Sequence, residues 1–242
     1  RRMLVPFQED TEIAAAYPHL DNKKDDNWLT RYVNRFTDPG NHFVYGYANN
    51  PLTFGKVYKT IKQTKDWVIY DFQLMNHPIL EFEQGLMLKK SSYTRAKSTY
   101  YCGIMAVVDM IRLKKQFAYV PSASNYHETL DGGLKQFISK HRWAIDYQLD
   151  KRETFGMYKD KFGLKGRMQY ISWYRKLRIY LYPFYGISIV FPVLRATFMY
   201  LKDGDGEWLY HPLITFASAF TIWQEAFRIK ILGQSPIMER YS

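Results

Sequence analysis

Cysteine is almost absent from this 242-residue chain, where Cys102 stands alone. One thiol excludes an intramolecular disulfide and any thiolate cluster for zinc or iron–sulfur. On the apolar face of a helical pattern, with no histidine close in sequence, Cys102 is read as a small buried hydrophobe. The six histidines, His19, His42, His77, His127, His141 and His211, make no H-E-x-x-H and no closely spaced histidine box. No metal ligand set, cofactor site or catalytic constellation is therefore expected. The phosphate-cradling and nucleophile-elbow patterns G-x-x-x-x-G-K-[ST], G-x-G-x-x-G and G-x-S-x-G are also missing. Uncharged runs are short, none longer than the 17 residues of 208–224. That is the lower edge of the ~17–25 residues of a spanning helix.

What is present is positive charge and aromatic rings. Lysine and arginine number 34 against 23 acidic residues, a net charge of +11, and tyrosine alone contributes 21 residues. Such a balance favours anionic partners: lipid surfaces, nucleic acid or acidic protein. The chain opens RRMLVPFQED, with neither an initiator methionine nor an apolar signal run. This suits a mature form from which a targeting segment has been removed, as in an imported organelle protein.

Apolar periodicity predicts a predominantly α-helical chain. Residues 1–20 read as an extended lead-in. Residues 21–40 place Trp28, Leu29, Tyr32, Val33 and Phe36 on one helical face, with Asp38-Pro39-Gly40 as the stop. Phe54, Val57, Tyr58 and Ile61 repeat the pattern, and Asp66 to Leu74 fits a short strand or a buried helix. Tyr93, Ala96, Tyr100, Ile104, Val107 and Ile111 predict a long helix closed by Pro121. A further helix carries Leu134, Phe137, Ile138, Ile145 and Leu149. The organisation expected is a helical domain over 1–150, a basic aromatic segment over 151–178, a short two-helix membrane hairpin over 179–224 and a tail over 225–242.

The stretch YLKDGDGEWLY, 200–210, alternates acids and glycines like a calcium loop. Counted from Asp203, the sixth position is Trp208 and the twelfth is Ile214, so the required glycine and bidentate glutamate are absent. The stretch reads as a polar turn between two apolar runs, 179–194 and 208–224. The first run extends through Arg195 to Leu201, with Pro183 and Pro192 as its kinks. Lys165, Arg167, Arg175, Lys176 and Arg178 precede it, and Arg228, Lys230 and Arg240 follow the second run. Basic ends around an acidic turn match the positive-inside rule, and the five leading cations are expected to meet lipid headgroups. Trp173, Tyr174 and Trp223 at the basic level, with Tyr200, Trp208 and Tyr210 at the turn, form the expected interfacial aromatic belts.

Composition and hairpin together are similar, in a general way, to accessory subunits of mitochondrial inner-membrane assemblies such as respiratory complexes or ATP synthase. That resemblance implies a non-catalytic structural role and partner subunits of a large complex. It also implies bound anionic phospholipid of the cardiolipin type, no nucleic acid, and an N-terminal domain on the matrix side. Two other classes compete. The basic aromatic segment 155–178 suits an organellar RNA-associated protein of the mitoribosomal kind, although no nucleic-acid fingerprint accompanies it. His141 and Asp146 make the H-x-x-x-x-D spacing of glycerolipid acyltransferases, without the phosphate-binding block of that family.

Overall fold

The computed structural model describes residues 1–73, 75, 76, 85–92, 110–126, 130, 132–149 and 170–234, with side chains of the helix ending at 149 described to residue 145. Two compact units are interleaved along the chain: residues 1–23 with 45–127, and residues 24–44 with 128–242. The helical unit thus draws in a segment that lies early in the sequence.

The first unit is built on a five-stranded sheet. After a short helix α1 (Val5–Glu9) come strands β1 (Ile13–Asp21), β2 (Thr60–Gln63), β3 (Val68–Tyr70), β4 (Met87–Leu88) and β5 (Gln116–Tyr126). Their order is β2-β3-β5-β1-β4, with β1 and β5 parallel and the other pairs antiparallel. This corrects the expectation of a predominantly α-helical chain, and the reason lies in β1. Its sequence IAAAYPHLD is buried almost throughout, so it carries none of the alternation that marks a half-exposed strand. Pro18 cannot donate to the ladder, and the register slips between Pro18 and His19.

One layer of the sheet core contains Ile13, Ala16, Trp67, Ile69, Ala118 and Val120. Aromatic rings form another group, with Tyr17 stacked on Tyr119 at 5.3 Å and Phe54 edge-on to Tyr58 at 5.5 Å. Two helical expectations fail in this unit, and a third stretch takes the strand alternative. Residues 51–56 are a 3-10 turn and 60–63 a strand, leaving Val57 and Ile61 exposed. The ambiguous stretch 66–74 contains strand β3. Of the long helix expected up to Pro121, Met110–Arg112 are helical, but 116–121 belong to β5; Cys102 and the segment 93–109 lie outside the described residues.

The second unit is helical: α2 (Trp28–Phe36), α3 (Pro39–Tyr45, whose last residue belongs to the first unit), α4 (Gly133–Leu149), α5 (Trp173–Ile187), α6 (Val190–Asp203) and α7 (His211–Lys230). Asn27 caps α2 by accepting from the N–H groups of Leu29 and Thr30, both at 2.9 Å. Leu29, Tyr32 and Phe36 turn inward as expected. The expected stop at Asp38-Pro39-Gly40 is also a start. Asp38 accepts from Gly40 N at 2.7 Å and caps α3, whose first residue is Pro39.

The first apolar run is not one kinked helix. Pro183 lies inside α5 without ending it, and Pro192 occupies the first turn of α6, where a missing N–H costs nothing. The break comes at Ile189, whose φ of 57° is a strained conformation for a β-branched residue. Val190 N donates to Ser188 O at 2.5 Å across it, a γ-turn. Helices α5 and α6 meet there at 99°. Among the described residues no single helix is long and apolar enough to cross a membrane; only this bent pair passes that test, and only together. At its far end Gly204, φ 68°, closes α6 in the left-handed conformation, and its N–H donates to Tyr200 O at 2.8 Å.

Candidate functional site

Helices α5, α6 and α7 bury mainly small and polar side chains and expose large apolar ones. Helix α7 turns Thr215, Ser218, Ala219, Thr221 and Glu225 inward with Ile214, while Leu213, Phe220, Trp223 and Phe227 face out. On α5 the outward residues include Tyr180, Phe184 and Ile187; on α6 they include Val190, Phe191, Leu194, Phe198 and Leu201. A water-facing helix pair has the opposite pattern. Small residues let the helices close up. A Cβ on Gly186 of α5 would stand 2.3 Å from Ala219 Cβ and 2.9 Å from Thr215 O.

The acidic turn binds protein. Arg31 Nε donates to Glu207 Oε1 at 3.0 Å, and Arg35 Nε to Asp205 Oδ2 at 2.7 Å. Both arginines belong to α2, so the turn lies against a segment expected on the opposite side of a membrane. This corrects the clear spanning hairpin: a turn tied to residues 31–35 cannot be separated from them by a bilayer. Asp205 also accepts from Glu207 N at 3.0 Å, which shapes the 3-10 turn Gly206–Tyr210.

Behind the turn lies a buried cluster of rings. Trp208, 1% exposed, stacks obliquely on Phe36 at 4.2 Å and meets the His42 ring edge-on at 4.8 Å. His211 is fully buried, with Tyr32 Oη 2.5 Å from its Nδ1, Tyr185 Oη 3.3 Å from its Nε2, and Thr215 Oγ1 at 3.4 Å. Burial lowers both imidazoles, and the nearby Arg195 charge adds to this; His211 falls to about 3. With His211 neutral, the Tyr32 hydroxyl donates to Nδ1 and Nε2–H faces the Tyr185 and Thr215 oxygens. A polar chain then runs between α2, α5 and α7.

His141 of α4 finds its carboxylate in Asp38, which forms an ion pair with Nε2, while Nδ1 faces Phe137 O at 3.2 Å. This partner lies 103 positions upstream; the side chain of Asp146, which the acyltransferase-like spacing offered, lies outside the described residues. Burial pushes the Asp38 carboxyl up, but the His141 charge, its hydrogen bond and the N–H groups of Gly40 and Asn41 hold it below 3.8. Burial pushes His141 down, yet Asp38 and the Phe137 carbonyl hold it above 6.5. The pair therefore stabilises the fold fully between the two unfolded values, ~3.9 and ~6.5. Its contribution is lost as pH falls through the lowered Asp38 value and as pH rises through the raised His141 value. Urea titrations across pH should give a coupling energy between Asp38→Asn and His141→Gln that peaks near pH 5 and fades on both sides. A flat coupling energy would show that the pair is not ionic.

A second buried charge group ties α4 to α7. The Glu225 side chain, 2% exposed, lies 3.2 Å from Arg142 Nε and 2.6 Å from Arg228 Nε.

The expected lipid-contact residues divide. Arg178 is exposed, with its Nη1 3.4 Å from Phe43 O, and Lys176 is half-buried. Arg175 is 9% exposed and faces the interior, which corrects its place in the collar: helical spacing from Trp173 and Tyr174 leaves it on the inner side. Lys165 and Arg167 lie outside the described residues. Of the interfacial aromatics, Trp173 (76% exposed), Tyr174, Tyr200, Tyr210 and Trp223 face out. Trp208 does not, because the 3-10 turn rotates it into the ring cluster. The His211 contacts escaped the sequence because Tyr32 and Tyr185 come from two segments remote from it, and only Thr215 lies on its own helix. Among the described residues no group of histidines, cysteines or acids is arranged to hold a metal ion. Comparison with family models, with curated proteins and with solved structures finds no match to this chain.

Proposed function

We propose that the chain is a non-catalytic structural subunit of a membrane-bound assembly, seated in lipid by the outer face of α5, α6 and α7. One observation carries the reading: large apolar and aromatic side chains face out while small and polar ones face in. Helices in lipid pack in this way, because small residues permit close approach and lipid welcomes the large ones. Helices α5 and α6 have 15 and 14 residues. At ~1.5 Å per residue each is roughly 22 Å long, short of the ~30 Å hydrocarbon core. With its sharp bend the pair fits a dip into one leaflet, with Trp173, Tyr174 and Trp223 at the headgroup level.

A structural role accords with His141, both of whose ring nitrogens are engaged, leaving no basic nitrogen for acyl transfer. The general resemblance to accessory subunits makes the mitochondrial inner membrane the proposed location and a respiratory or ATP synthase complex the proposed assembly, with cardiolipin-like lipid at its surface. Alkaline carbonate extraction tests the seat: the protein should remain with the membrane fraction. Tags placed in 203–206 and at 24–27 should react from the same side. Full release by carbonate, or tags reporting opposite sides, would overturn the reading.

A further inference from the structure

We propose that Arg195 receives the phosphate of an anionic phospholipid at the line where the apolar outer face of α6 meets the polar interior. The proposal rests on the lipid seat argued above. Arg195 stands between the inward residues Ala196 and Met199 and the outward residues Leu194 and Phe198. Its Nε is shut off from solvent, and among the described residues no acceptor reaches it. Nor does any described carboxylate pair with it, although the acids of the neighbouring turn, Asp205 and Glu207, are engaged by Arg35 and Arg31.

The region is short of partners in general. His42 Nδ1 and Trp208 Nε1 are also buried with no hydrogen-bond partner among the described residues. The charge of Arg195 is felt around it: it adds to burial in lowering His42 and His211, and it opposes the burial that raises Tyr185. Arg195 is half-buried, and a guanidinium N–H that meets neither water nor an acceptor among the described residues is costly. A phosphate diester supplies the negative charge and the acceptor oxygens that a guanidinium fork matches. Acyl chains attached to that phosphate cover Leu194 and Phe198, which a free anion leaves bare. A single ligand thus answers both features of the surface.

The test compares binding of the full chain to vesicles of phosphatidylcholine alone and of phosphatidylcholine with phosphatidylglycerol. Wild type should bind both and prefer the anionic vesicles. Arg195→Gln should still bind neutral vesicles but lose about fivefold in that preference, the ~1 kcal/mol of one basic residue at a charged surface. Arg195→Lys should keep most of it. An unchanged preference in Arg195→Gln would overturn the proposal while leaving the lipid seat intact. An equal loss in Lys202→Gln, exposed on the same helix, would show a diffuse charge effect and overturn it as well. So would displacement of the wild type from anionic vesicles by inorganic phosphate, which would mark a free-anion site. Failure of the wild type to bind either vesicle would overturn both readings. Phosphatidylglycerol carrying a photoreactive group beside its phosphate supplies a measurement on the wild type that does not depend on the folding of Arg195→Gln. Its label should fall within 190–203, and labelling confined to other segments would overturn the assignment.

Discussion

Gly186→Leu should separate α5 from α7 and abolish cooperative unfolding of the helical unit. The added Cβ alone meets Ala219 Cβ at 2.3 Å and the Thr215 carbonyl at 2.9 Å, and the second of these is backbone that no rotamer change can move. Overpacking of this kind costs about 1–3 kcal/mol for a small addition. Gly186→Ala belongs in that range, and leucine lies at or beyond its upper end. The same crossing brings Tyr185 to His211, so its polar contacts should be lost together with the packing. Thermal loss of helical circular dichroism in mild detergent provides the readout. Ala219→Gly should partly rescue Gly186→Ala by removing one of the two obstructions, and should do nothing for Gly186→Leu. Wild-type melting of Gly186→Leu would mean that the two helices do not cross this closely.

Glu225→Leu should cost about 3 kcal/mol, near the lower end of what breaking a buried ion pair costs. The lower end applies because Arg142 is 37% exposed at its side chain and can turn to water once its carboxylate is gone. Arg228, at 17%, has less freedom and bears most of the penalty. The double change Glu225→Leu with Arg228→Met should therefore recover much of the loss, since it removes the stranded charge as well as its partner. Urea midpoints of the two single variants and the double variant measure this coupling. Independent, additive losses would show that Glu225 and Arg228 do not act as a pair.

Local signals in the sequence determined a good part of this protein. Leu29, Tyr32 and Phe36 at helical spacing before Asp38-Pro39-Gly40 specified α2, and Phe137 in its apolar pattern specified α4. The glycines of 204–206 marked a turn, and the missing loop positions showed that its acids were not a calcium ligand set. The two short apolar runs marked the pair of segments whose large side chains, Phe184, Phe191, Leu194 and Phe220 among them, face outward. Tertiary structure decided the rest. Strand β1 became a strand because β5, a hundred residues later, pairs along its length and buries it; an alanine-rich segment has no periodicity to betray that. The bend came at Ile189 and not at either proline: α5 runs on through Pro183, and Pro192 sits in the first turn of α6, where its missing N–H costs nothing. Trp208 and Arg175 turned inward through the rotation of the elements that carry them. Asp205 and Glu207 found Arg35 and Arg31, and His141 found Asp38, across separations no local pattern encodes. Charge pairing and burial act through space, and only the folded chain brings those side chains within reach of one another.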